Sequence, residues 1–160
     1  MKPIIRGGLT ILTAFILATV LRQIAAPLLI VVNVFTVAVI LFGIIEGETQ
    51  GAVFGMVCGL IVDSFSLGIF GLAGLANTVT GFVSGFISRK LNVLPLGRLF
   101  LFTGVMGALD LGLWMLLSAV FFSEDFPWGG GFLLAQPLVT AVLGTLAYSI
   151  YRRLKARHER

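Results

Sequence analysis

Six apolar stretches, each close to the length a helix needs to cross a bilayer, run through this chain at 4–21, 28–45, 50–67, 72–88, 99–122 and 132–151. Crossing the hydrocarbon core takes roughly 20 apolar residues as helix, because without water the backbone must bond to itself. Such stretches recur to the end of the chain, which excludes a soluble body behind a cleaved leader. Lys2 and Arg6 ahead of Leu9 read instead as the flank of an uncleaved signal anchor. The chain is 58% hydrophobic and 11% charged with a mean hydropathy of +1.08, whereas soluble domains carry about 25% charged residues. The expectation is an all-α polytopic membrane protein, one integral membrane domain over 1–160 formed by a bundle of six transmembrane helices. The breaks between stretches fall at Arg22 and Pro27, at Glu46 to Glu48, in the Ser/Gly run after Asp63, at 89–98 with Pro95, and in SEDFPWGGG at 123–131.

Cytoplasmic flanks of membrane proteins collect Lys and Arg. With the N-terminus inside, Lys2, Arg6, Arg89, Lys90, Arg98, Arg152, Arg153, Lys155, Arg157 and Arg160 are all cytoplasmic, ten of the eleven basic residues, and Arg22 alone faces outward. Both termini are then cytoplasmic, with a basic tail at 152–160. These groups also absorb the net charge of +4. They serve as topology signals and as anchors for anionic lipids, at about 1 kcal/mol each near the surface. Without an aromatic platform the tail does not read as a nucleic-acid site. Phe126, Pro127 and Trp128 in the last outer loop read as an interfacial anchor.

An acid interrupts the third stretch. Asp63 follows Gln50 by about 13 residues, or about 20 Å of helix, against a core of about 30 Å. It lies either in the outer leaflet of a full span or at the tip of a re-entrant hairpin, and in both cases the third helix is broken near Asp63. An intramembrane carboxylate costs about 2.5 to 3.5 kcal/mol on insertion scales and so marks a site. Asp63, Ser64 and Ser66 also suit the capping of the next helix, while Gly68, Gly71 and Gly74 permit a tight turn. Asp110 is a second intramembrane acid, about twelve residues into the fifth stretch, with Gly107 and Gly112 beside it. Since Arg22 is the one basic residue on the outer side, we expect it to pair with Asp63. Asp110 is then neutral or hydrogen-bonded to Thr, Asn or Ser on a neighbouring helix.

Glycine supplies 20 of the 160 residues, or one in eight, against about 7% usually. Gly51, Gly55 and Gly59 recur every four residues, and Gly81 and Gly85 repeat that spacing in the fourth stretch. Stripes of this kind let helices approach closely where lipid supplies no hydrophobic drive between them. They serve either the bundle's own packing or the reception of a helix from another protein.

The run from Gly51 to Leu91, GAVFGMVCGLIVDSFSLGIFGLAGLANTVTGFVSGFISRKL, resembles the core of the rod shape-determining protein MreD family. That family's pattern is a Gly-rich helix ending in G-L-x-x-D, a short Ser/Gly break, L-G, and a helix with a spaced Gly and a basic end. Gly59, Leu60, Asp63, Leu67, Gly68, Leu72, Gly81, Arg89 and Lys90 fall on it. The resemblance implies a fold similar to the S components of energy-coupling factor transporters. It implies a non-enzymatic scaffold subunit of the bacterial inner-membrane elongation machinery, acting in rod shape determination and lateral peptidoglycan synthesis. The implied partners are MreC, bound through its transmembrane helix, together with MreB, RodA, RodZ and an elongation-specific penicillin-binding protein.

Other readings fit the residues less well. His158 is the single histidine and lies in the tail, and a lone cysteine, Cys58, permits no internal disulfide and packs as a small hydrophobe. No cofactor or metal is expected. The glycines at 129–131 lack the ending of a phosphate-binding loop. Asp63 and Asp110 sharing a proton would suit aspartic hydrolysis, but neither acid stands in the motif of a signal peptidase or a presenilin-type protease. The chief rival is a substrate-binding S component of a vitamin transporter, whose pocket would need more than the scattered Asn33, Asn77, Thr78, Gln136 and Trp114 within these spans.

Overall fold

The computed structural model describes residues 2–24, 33–65, 71–93, 95–121 and 135–158. Among them are six helices and no strand: α1 (Lys2–Ile24), α2 (Val34–Glu46), α3 (Glu48–Phe65), α4 (Leu72–Lys90), α5 (Leu96–Phe121) and α6 (Gln136–His158). The all-α class is therefore as expected, and each apolar stretch supplies one helix.

Among the described residues, α5 is the one helix long and apolar enough to cross a membrane on length and composition alone, with a mean hydropathy of 1.8. The others fall short of the expected six uniform spans for identifiable reasons. The described part of α2 has 13 residues, since 28–32 of the second stretch lie outside the described residues. At 18 and 19 residues, α3 and α4 are long enough, but their hydropathy is lowered by Glu48, Gln50 and Asp63 in α3 and by Asn77, Arg89 and several Gly, Ser and Thr in α4. In α1 the apolar part is Gly7–Val20.

The shortest helix is the central one. α2 touches all five others, and its Val39 and Ile40 are wholly buried. Its start is fixed by Asn33, whose side chain accepts a hydrogen bond from the Thr36 N–H at 3.2 Å, the usual office of an N-cap. On one side Phe42 stacks on Phe54 of α3 with ring centroids 4.1 Å apart, in a cluster with Ala14, Phe35, Ala38, Val39 and Cys58. Cys58 is fully buried there, as a packing residue should be. On another side Ile40 meets Val93, Phe102 and Met106.

Charge collects at one end of the bundle. Glu48 of α3 bonds to Arg89 of α4 at 2.8 Å, and Lys90 lies over the Phe86 ring. Arg98 opens α5, and α6 runs back along α5, carrying Arg152 and Arg153 to the same end. Gly7 of α1 lies beside Phe42 and Phe54, so the chain's basic N-terminal turn begins there as well.

Candidate functional site

α3 and α4 form an antiparallel hairpin whose two stripes of glycine face each other. A Cβ on Gly51 would stand 2.5 Å from the Gly81 carbonyl oxygen. One on Gly55 would run into the carbonyl of Asn77, and one on Gly59 into that of Ala73. Gly81 and Gly85 are closed in the same way by the backbones of Gly51 and of Gly47 and Glu48, and Gly43 of α2 also reaches the Gly81 carbonyl. All five stripe glycines are buried. This corrects one expectation: these glycines do not line a groove open to a partner helix. The stripes are filled by each other and, at Gly51 and Gly81, by Gly43 of α2, and backbone packed on backbone leaves no room for a helix from another protein.

Asp63 pins that hairpin at the end where α3 gives way to α4. It sits in the last turn of α3, which runs unbroken from Glu48 to Phe65, so the break follows the acid. Its side chain is buried. Oδ2 accepts hydrogen bonds from the N–H groups of Gly71 and Gly74, both at 3.0 Å, and Oδ1 accepts one from Ala73 at 3.1 Å. The first turn of a helix leaves its N–H groups without intrahelical partners. Gly71, the residue before α4, has no side chain to cap with and stands at φ +106°, a left-handed conformation suited to glycine. Asp63 supplies the missing acceptors from the neighbouring helix, and a carboxylate is also the favoured charge at a helix N-terminus.

The other acid lies at the meeting of three helices. Asp110 of α5 is buried, and its Oδ2 accepts the Thr36 hydroxyl of α2 at 2.7 Å while its Oδ1 accepts the Thr80 hydroxyl of α4 at 3.1 Å. Threonines on two neighbours hold it, which answers to the expected hydrogen bonding. Asp63 addresses α4 at Gly74 and Asp110 addresses it at Thr80, six residues or about 9 Å of helix further along. Each acid has its own donors, so the pair does not have the geometry of two carboxylates sharing a proton. The side chain of Arg22 lies outside the described residues, as do Gly68, the 126–128 loop and the side chain of His158. The expected pairing of Arg22 with Asp63 therefore falls outside the described residues, and the described partners of Asp63 are three backbone donors, which answers to its expected capping of the next helix.

A second seam joins α5 and α6; beside Asp110 the sequence shows Gly107 and Gly112 as places where another helix could approach. Gly107 of α5 receives Thr140 of α6, Gly144 of α6 receives Thr103 of α5, and Gly104 lies against Ala141. Gly112, by contrast, has open space where its Cβ would be, so among the described residues Gly107, and not Gly112, receives a helix of this chain. A wholly buried Thr103 bonds back to its own helix at Leu99. The side-chain oxygens of Asn77 and Thr140 are buried without a hydrogen-bond partner. The interior is therefore polar around Asp110 while the outside is apolar: Leu9, Val53, Leu101 and Val120 are each more than 60% exposed.

If the threonines serve Asp110, removing their hydroxyls should cost stability only while the acid is present. Leaving a buried polar atom short of a partner costs about 1–3 kcal/mol, whereas replacing both partners with apolar groups is nearly neutral. Thr80→Val should thus lower the thermal midpoint of the purified protein, and the same change made on Asp110→Leu should lower it much less. Equal losses in both backgrounds would show that Thr80 acts by packing.

No family model, curated protein or solved structure matches this chain.

Proposed function

We propose that this chain is a non-enzymatic, multi-pass scaffold subunit of the bacterial inner membrane that serves cell elongation, as the resemblance to the MreD family implies. In this reading its bundle binds the transmembrane helix of an MreC-like protein and stands beside MreB, RodA, RodZ and an elongation-specific penicillin-binding protein. The observation that carries it is where the resembling residues lie. Gly59, Asp63 and Gly81 all belong to one device, a glycine seam pinned at its end. That device holds two helices in register, which is work suited to a scaffold.

Membrane placement by six spans is supported by the polar interior and apolar exterior, a distribution that suits a lipid solvent. It is also supported by length. α3 and α4 rise about 27 and 28 Å, close to the hydrocarbon thickness of about 30 Å. Arg89, Lys90, Arg98, Arg152 and Arg153 at one end favour that end as cytoplasmic.

Because the seam is filled, the partner helix is received elsewhere. On the outward face of α5, Ala108, Gly112 and Leu116 are exposed at four-residue spacing, and Gly112 has open space beside it. The small Ala108 and Gly112 let a second backbone come close, with Leu116 beside them to pack against it. A photo-crosslinking residue placed at Ala108 or Leu116 in cells should capture a single-span protein, whereas one placed at exposed Val53 of α3 should not. Capture from Val53 alone would move the interface off α5.

A further inference from the structure

At the basic end of the bundle, the last turn of α4 and the first half of α5 enclose a groove of about 450 Å³. Its walls are Ile87, Leu91, Leu101, Phe102, Val105 and Met106, and its polar groups are Asn92 and Arg98. The charge stands at one end. Arg98 precedes Val105 by seven residues on α5, so the apolar wall extends about 10 Å inward from it.

The two cations that end α4 are engaged. Arg89 is paired with Glu48, and Lys90 lies over the ring of Phe86. Arg98 is exposed; it donates one long hydrogen bond, 3.4 Å, to the backbone carbonyl of Asn92, and among the described residues it has no carboxylate partner. A guanidinium with free donors suits phosphate.

We infer that this groove binds a phospholipid of the cytoplasmic leaflet, with an acyl chain along Leu101, Phe102 and Val105 and an anionic headgroup on Arg98. The inference rests on the membrane placement proposed above. Its components are arranged as a lipid is, charge at the surface and hydrocarbon toward the interior. It differs from general attraction of the basic tail because one cation and one groove define the site.

The test begins with carbonate-washed membranes, since recovery of the chain in the soluble fraction overturns the membrane placement and this inference together. Protein extracted from the washed membranes in mild detergent is then mixed with phosphatidylglycerol or with phosphatidylcholine of the same chains, and retained lipid is counted by native mass spectrometry. Phosphatidylglycerol should be retained in preference. Arg98→Gln should reduce its retention about five-fold, the effect of one basic residue at an anionic surface, while Arg152→Gln should match wild type. Val105→Trp, which fills the groove, should reduce retention of both lipids. Equal retention by Arg98→Gln and wild type, or equal retention of the two lipids by wild type, overturns the inference and leaves the membrane placement standing. So does capture of a peptide rather than a lipid by a photo-crosslinker at Val105.

Discussion

Gly55→Leu should leave almost no folded protein in the membrane fraction, and Gly55→Ala should already be visibly destabilised. The atoms in the way belong to the backbone at Asn77 and Thr78, so no side chain can swing aside to make room. Overpacking a tight core costs typically about 1–3 kcal/mol and occasionally more. Relief here requires the whole of α4 to move off α3, which also breaks the contacts at Gly51, Gly59 and Gly81. Against this stands a gain, since alanine favours helix over glycine by about 1 kcal/mol. The balance therefore has opposite signs at different glycines. Gly112→Ala meets nothing within 4 Å and should be neutral or stabilising, whereas Gly112→Leu should keep the protein folded and weaken capture of the partner helix. Accumulation and thermal midpoint of detergent-extracted variants separate these outcomes. A Gly55→Ala protein as stable as wild type would mean that α3 and α4 do not pack as closely as described.

Asp63→Ala should be the second severe change. It removes the acceptors of three N–H groups at the head of α4, of which those of Ala73 and Gly74 are bonded in buried surroundings. Loss of a single cap costs about 0.5–2 kcal/mol, and each buried group left unsatisfied costs about 1–3 kcal/mol. The expected result is low accumulation and fraying of the hairpin end, read as faster amide exchange at 71–74. Asp63→Asn is the informative companion. It keeps one acceptor oxygen and turns the other into a donor, so it can serve Gly71 and Gly74 or Ala73 but not all three. Its stability should fall between those of wild type and Asp63→Ala. An asparagine variant indistinguishable from wild type would contradict the use of both oxygens.

Six helices were legible in the sequence because the lengths of the apolar stretches and their Pro, Gly and charged breaks are local signals. The use of Asp63 as a cap was legible too, since an acid followed by glycines is suited to orphaned N–H groups. What was not legible depends on which surfaces meet. A glycine stripe reads the same whether it faces its own chain or another, and only the antiparallel register of α3 and α4 shows that each stripe fills the other. Of the α5–α6 seam only Gly107, beside Asp110, was legible as a place where a helix could approach; Gly104 and Gly144 with Thr103, Thr140 and Ala141 form no repeating pattern in the sequence. Thr36 and Thr80 were hidden among many threonines. Their distinction is position, one near the start of the central helix and one a little below the cap of α4, both turned toward Asp110. The pairing of Arg22 with Asp63 rests on charge alone and involves a side chain outside the described residues, whereas the capping of α4 by Asp63 rests on three hydrogen bonds.

The proposed function makes the bundle a membrane scaffold for a single-span partner. The most direct measurement is purification of the tagged chain from its native membrane in gentle detergent, with mass spectrometry of everything that stays bound. A scaffold of this kind should bring with it a single-span MreC-like protein together with elongation synthases, reduced in Gly112→Leu at unchanged protein level. Recovery of a pair of ATPases with a T component would contradict it, and would make the buried polar groups around Asp110 part of a substrate pocket.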